Sequence, residues 1–211
     1  LHGSLLPKYR GAAPINWALI NGETETGLTI FFLDKKVDTG KIIFRQKISI
    51  PPEETFDELH RRMSELAGPV IEKSLDLIES GKAVAEIQDN ALATPAPKFS
   101  PGACQIDWGF PADNVVNFIR GLSSTPGAFS GFHGKKIKLL RATQCNISIL
   151  ETYEPGQIIM EKNRLIVAVA GGFVEILEIL PEGKSKMTGS EFVRGYRPDN
   201  REMMSTRERE K

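Results

Sequence analysis

The chain has 211 residues, carries 27 Lys and Arg against 27 Asp and Glu, and is 40% hydrophobic and 26% charged. That composition belongs to a globular protein and excludes collagen-like repeats, coiled coil and intrinsic disorder, while a net charge of zero gives no overall basic footprint of the kind nucleic-acid binders show. The length suits two small domains, each able to bury a core.

The opening Leu1-His2-Gly3-Ser4-Leu5-Leu6-Pro7 has neither a basic nor an apolar leader region. No run reaches the ~18–20 apolar residues of a membrane span, so a cytoplasmic protein without membrane contact is expected. From Pro14 to Ile20, the spacing of Ile15, Ala18 and Leu19 predicts a short helix stopped at Asn21-Gly22. Residues 27–33 and 41–50 are β-branched and aromatic and read as two strands, with Asp34–Gly40 as the polar connection that puts Asp38 near the tip of a hairpin. Thr55 and Glu58 make a capping box, and Leu59, Met63, Leu66, Val70, Leu77 and Ile78 supply an inward apolar stripe. Pro69 lacks an amide hydrogen and predicts a kink or break, and Gly81 a stop.

Residues 89–105 hold Pro95, Pro97, Pro101 and Gly102 without apolar period and read as a linker between a first domain, 1–88, and a second, 106–211. Pro111-Ala112-Asp113 opens a helix that buries Val115, Val116, Phe118, Ile119 and Leu122. Four strand-like runs follow, at about 135–142, 156–160, 164–170 and 173–180, with Gly171-Gly172 as a tight turn. Short strands with few helices point to a small barrel or sandwich. A second capping box, Thr188 with Glu191, starts a short helix, and the charged tail from Pro198 to Lys211 is expected to fray.

The candidate chemistry is sparse. Cys104 and Cys145 have no Cys or His at ligand spacing, so no metal site and no disulfide framework is expected. His60, on a polar helix face, and His133, in a turn, read as surface residues. His2 stands in an irregular loop shaped by Gly3, Pro7 and Gly11. Asp38 is either a turn residue capping backbone amides or a carboxylate that orients His2 and holds it charged. Lys135, Lys136, Lys138 and Arg141 lie on one strand, with Lys98 in the linker; they serve either to guard an exposed strand edge or to contact phosphates. Residues 1–97 carry 11 basic and 14 acidic side chains and residues 98–211 carry 16 and 13, so the second half is the more basic one.

His2 to Pro14, Asn21 to Gly27 and Val37-Asp38-Thr39-Gly40 together resemble the 10-formyltetrahydrofolate-dependent formyltransferases, and most nearly those members that act on methionyl-tRNA. The likeness continues through Ile106-Asp107-Trp108, Thr125-Pro126-Gly127-Ala128-Phe129 and Phe192 to Pro198. It implies an α/β fold: the C-terminal part of a Rossmann-like formyltransferase domain, then a small OB-like β-barrel domain. It also implies His2 and Asp38 as catalytic residues and Ser4, Leu5, Leu6 and Pro7 as a loop that contacts the folate.

The family's third catalytic residue, an Asn two positions before the His, would fall ahead of Leu1 with the first half of the catalytic domain. The chain alone is therefore expected to be nearly inactive. Implied partners are 10-formyltetrahydrofolate as formyl donor and initiator methionyl-tRNA as acceptor, with the protein a monomer. Two rival readings are a superfamily member that acts on a nucleotide sugar or hydrolyses formyl folate, and a non-catalytic RNA-binding module. A purine-pathway transformylase is disfavoured, because it has no counterpart to the residues after the linker.

Overall fold

A computed structural model describes residues 1–147 and 152–205, which form two compact units. Unit 1 comprises Leu1–Leu19 and Glu23–Phe99. Its elements are helix α1 (Pro14–Ile20), strands β1 (Glu25–Phe31) and β2 (Ile42–Ser49), and helix α2 (Phe56–Glu79). β1 and β2 pair antiparallel, with Thr29 opposite Arg45. Their inner faces meet α1 and α2 around Leu19, Leu28, Ile48, Leu59 and Met63. Each such side chain stabilises the fold by ~1.5–3 kcal/mol when fully buried.

α2 begins as the capping box predicts, since the Thr55 hydroxyl accepts from the Glu58 amide and Glu58 Oε2 accepts from the Thr55 amide at 2.8 Å. Two expectations for this helix need correction. It runs through Pro69 without a break, because Pro69 and the Glu65 carbonyl it cannot bond lie on the solvent side, where water replaces the lost partner. The inward stripe is also shorter than its period implies: Leu59, Met63 and Val70 are buried, but Leu66 and Ile78 are exposed.

The segment after α2 is stitched into this unit rather than free of it. Glu86 bridges Ile42, Pro95 bridges Arg10, and Ala96 is buried while its carbonyl accepts from the Ala13 amide.

Unit 2 comprises Ile20–Gly22 and Ser100–Lys211. It contains helix α3 (Ala112–Leu122), strands β3 (Ala128–Phe132), β4 (Lys135–Cys145), β5 (Ile158–Glu161), β6 (Arg164–Val169), β7 (Gly172–Pro181) and β8 (Met187–Thr188), and helix α4 (Gly189–Tyr196). Among the described residues the ladder follows the open path β3-β4-β7-β6-β5, with β8 beside β7. The protein is thus mixed α/β. Trp108, Ile119, Leu139, Leu165, Ile176 and Phe192 are sealed in the core of this unit.

α3 buries Val115, Ile119 and Leu122, but Val116 and Phe118 only in part. β3 escaped the sequence reading, because its buried positions are the small Ala128 and Ser130 besides Phe132, which give no apolar alternation. The tail expectation also fails as far as the structure describes it. Met204 is 1% exposed, the Ile158 amide donates to the Glu202 carbonyl at 2.8 Å, and the Ser205 amide donates to the Gly131 carbonyl at 2.9 Å. A charged composition hid one apolar anchor and a run of backbone bonds to the two outer strands. Residues 206–211 lie outside the described residues.

Candidate functional site

His2 sits at the edge of β1, where its amide and carbonyl exchange 2.9 Å bonds with Thr29. This backbone pairing fixes the Cα and sends the imidazole inward, leaving it 7% exposed. Nε2 lies 2.8 Å from the Tyr9 carbonyl oxygen. A carbonyl only accepts, so Nε2 carries the hydrogen, and Nδ1 is the lone-pair nitrogen of the neutral ring. Nδ1 faces Asp38 Oδ2 at 3.7 Å. The two residues singled out from the sequence, 36 positions apart, therefore do meet.

Asp38 has φ 56°, a left-handed conformation that Asp tolerates better than most residues. Its Oδ2 accepts from the Gly11 amide at 2.9 Å. The carboxylate therefore caps a backbone amide 27 positions away rather than one in its own turn, and the same oxygen faces the imidazole. Gly11 is required for this approach: its φ is 127°, and a Cβ there would stand 2.5 Å from the Ala96 carbonyl oxygen.

The expectation that Asp38 holds His2 charged is not met. Burial pushes the imidazole below its ordinary value of 6.5, outweighing the Tyr9 carbonyl and the Asp38 carboxylate that pull upward. The reason is geometric: Asp38 stands beyond hydrogen-bond distance, with its nearer oxygen also engaged by Gly11. His2 is accordingly neutral at pH 7, with a basic nitrogen turned toward a carboxylate.

The loop read as folate-contacting divides in two. Ser4 is fully buried and its hydroxyl donates to the Lys8 carbonyl at 2.6 Å. Leu6 is buried as well, its amide donating to Thr29 Oγ1 at 3.1 Å and its carbonyl accepting from Arg45 Nε at 3.0 Å. Arg45 is in turn held by a two-pronged pairing with Glu86, at 2.7 and 2.9 Å, which lowers the Glu86 carboxyl pKa. Only Leu5 and Pro7 are half-exposed. Ser4 and Leu6 therefore shape the loop, and Leu5 and Pro7 are the side chains it leaves open to solvent.

Three participants were missed in the sequence. Thr29 pins His2 and the Ser4 carbonyl, Tyr9 offers the carbonyl that orients the ring, and Gln88 bonds the Asp38 turn. Tyr9 is itself fixed by its hydroxyl on Glu23 at 2.7 Å. Thr29 and Tyr9 act largely through backbone atoms, which no residue pattern reveals, and Gln88 acts through a side-chain amide whose partners lie 50 and 48 positions away. Among the described residues no group of His, Cys, Asp and Glu is placed to hold a metal ion, and no helix is long and apolar enough to cross a membrane.

In unit 2 the basic strand is β4, which is paired on both sides, by β3 and β7. Edge protection is therefore not its purpose. Lys135 and Lys136 help to line an open groove of about 460 Å³ together with Gln105, Phe129 and His133. The Lys136 ammonium lies 3.8 Å from the centre of the Phe129 ring, so an aromatic face and a cation share one wall. Cys104 and Cys145 are not joined in a disulfide.

Two family models match the chain: formyl transferase over residues 1–75 and formyl transferase C-terminal domain over residues 98–197. The methionyl-tRNA formyltransferase of Chlorobium luteolum is 40% identical over 200 residues, which is 94% of this chain and 64% of that protein. The methionyl-tRNA formyltransferase of Geobacter sulfurreducens is 40% identical over 198 residues, 93% of this chain and 61% of that protein. The chain thus spans under two thirds of the length of these curated relatives. HypX from Aquifex aeolicus in complex with tetrahydrofolic acid has the same fold, with TM-score 0.67 and 20% identity over 92% of this chain and 35% of that one. So does WlaRD, a sugar 3N-formyl transferase, with TM-score 0.68 and 20% identity over 87% of this chain and 65% of that one.

Proposed function

Because the chain belongs to the formyl transferase family, we propose that it serves to move a formyl group from 10-formyltetrahydrofolate to the α-amine of initiator methionyl-tRNA, for translation initiation in the cytoplasm. The observation that carries this reading is the His2 ring, fixed by the Tyr9 carbonyl at one nitrogen and turned toward Asp38 with the other.

The donor supplies a formyl carbon bonded to its N10 nitrogen. This chain's residues handle the proton. The attacking amine must lose one as it bonds to carbon, and the departing nitrogen must gain one. Nδ1 of the neutral His2 takes it from the amine, Asp38 offsets the charge while the imidazolium lasts, and Nδ1 returns it to the leaving nitrogen. A ring already charged at pH 7 could not begin this cycle, so the burial that keeps it neutral serves the role. Phe32, Leu33 and Val37, exposed on the connection that carries Asp38, give a flat heterocycle an apolar surface to lie on. Leu5 and Pro7 add to it from the first loop.

In this reading residues 1–88 are the C-terminal portion of a Rossmann-like catalytic domain, 89–105 the connection and 106–211 an OB-like barrel. The segment 202–205 supports the barrel, because it bonds to both Gly131 on β3 and Ile158 on β5. The basic groove supports the tRNA partner, and the protein works as a monomer. Sequence identity of 40% to methionyl-tRNA formyltransferases favours this acceptor over a nucleotide sugar, since the sugar enzymes share the fold at 20%.

The test is formylation by the intact protein of methionyl-tRNA or of an amino sugar nucleotide, with 10-formyltetrahydrofolate as donor. Transfer to tRNA alone is expected; transfer to the sugar alone would overturn the acceptor. For the tRNA contact, replacing Lys98, Lys135 and Lys136 with Ala should flatten the decline of affinity with salt. An unaltered slope would remove the groove from the account.

A further inference from the structure

Gln88 is a 5% exposed polar side chain whose amide is fully spent. Its Nε2 donates to the Asp38 carbonyl at 2.9 Å and to the Gly40 carbonyl at 2.7 Å. Its Oε1 accepts from Arg10 twice, from Nε at 3.2 Å and from the adjacent terminal nitrogen at 2.7 Å. Guanidinium nitrogens only donate, so Arg10 fixes which end of the amide is oxygen and aims both Nε2 hydrogens at the turn. No other neutral side chain of this length offers two donors and one acceptor in that order.

The contacts close into a ring. Arg10 holds Gln88, Gln88 holds the backbone on either side of Thr39, and the Asp38 carboxylate accepts from the amide of Gly11, the residue after Arg10. The far end of the turn is clamped too, because a Cβ at Gly40 would stand 1.6 Å from the Phe32 carbonyl oxygen. Asp38 itself occupies a left-handed conformation that a free exposed turn would readily leave.

We propose that Gln88 is the positioning residue of the site, holding the Asp38 turn so that its carboxylate stays against Nδ1 of His2. This rests on the assignment of His2 and Asp38 to proton transfer, but it makes a claim of its own. Asp38 is placed from the strap 86–96 through Gln88, and not by the β1–β2 connection in which it lies. The ion-dipole contact at Gly11 fixes where the carboxylate points, and Gln88 fixes where the turn sits.

The experiment follows two readouts in the intact protein carrying Gln88→Leu, Gln88→Glu or Asp38→Asn, and the double replacement of Gln88→Leu with Asp38→Asn. The first readout is the His2 imidazole titration by NMR. Gln88→Leu should lower the midpoint in the same direction as Asp38→Asn, and should add nothing in the Asp38→Asn background, because both act through one carboxylate. Gln88→Glu keeps the bond to Arg10 but sets an acceptor against two carbonyls, so it should behave like Gln88→Leu. Trp17→Phe, which removes a bond from Trp17 to Pro97 just past the end of that strap, should leave the midpoint in place.

The second readout is the rate, where a misplaced carboxylate should cut kcat about 10- to 100-fold with little change in KM for the acceptor. A wild-type midpoint in Gln88→Leu overturns the inference. So does a drop that adds fully to that of Asp38→Asn, or failure of both Gln88 variants to fold. If the wild-type protein transfers no formyl group, the proposed function fails, whereas the titration still decides the role of Gln88.

Discussion

Among the described residues two imidazole–carboxylate pairs occur, one in each unit, and they differ in an instructive way. His133 and Glu202 approach to 2.8 Å in an exposed turn, and His2 and Asp38 stay 3.7 Å apart in a site where the ring is 7% exposed. In both, one partner has left-handed backbone, φ 50° at His133 and 56° at Asp38. The closer pair is the one water can replace. At His133 solvent screens the charges and either partner can swing away. At His2 the backbone is held by the amide and carbonyl of Thr29 and the ring by the Tyr9 carbonyl, so the longer separation is imposed by the fold and is repeated in every molecule. Proximity measures the contact; confinement decides whether chemistry can depend on it.

The largest effect expected from breaking this contrast is on turnover. His2→Ala should lower kcat by about 10²–10⁴ while the protein stays folded, and His133→Ala should leave kcat at the wild-type level, both read by formylation assay. Equal loss in the two would erase the distinction between the units. A second break separates the pair at Glu202 from the segment that carries it. Met204→Ala should cost ~2–5 kcal/mol in chemical denaturation, because the buried side chain, not the neighbouring ion pair, anchors residues 202–205.

Acid should sharpen the comparison further. His2 has a folded pKa below the ordinary 6.5, so its contribution to stability is complete above that value and is lost as pH falls from there through the folded pKa. Denaturation midpoints taken between pH 8 and 5 should therefore drop in the wild type more than in His2→Gln. The smallest effect belongs to the exposed pair: His133→Ala should change stability by ~0.2–1 kcal/mol, reduced further by added salt. A shift as large as that of Met204→Ala would mean that the contact to Glu202 is what holds the tail.

The legible parts of the fold were those encoded by neighbouring residues. The capping boxes at Thr55 and Thr188, α1 from Pro14 to Ile20, and the turn at Gly171 all follow from local bonds and backbone preferences. Parts that depended on distant partners were lost. β3 has no pattern of its own and exists because β4 pairs with it. The apolar period of α2 runs past the residues that unit 1 buries, and Pro69 is tolerated because it faces water. In the site, His2 and Asp38 stood out through their residue types and motif, whereas Tyr9 and Gln88 did not, because an accepting backbone carbonyl looks the same whichever residue carries it and the carbonyls that Gln88 bonds lie 50 and 48 positions away.

The amino-acid order by itself marked which groups are candidates for the chemistry, through residue type and motif, and which short segments form helices and turns, through bonds between residues a few positions apart. Whether the ring at His2 is charged, which of Ser4 to Pro7 still face outward, and how the turn at Asp38 is held were decided only by folding. Each depends on burial and on hydrogen bonds from segments 85 positions away, such as the bond from the Tyr9 amide to Thr94 and the Arg10 bridge to Pro95. Desolvation is a property of everything packed around a group, and no stretch of chain contains its own surroundings.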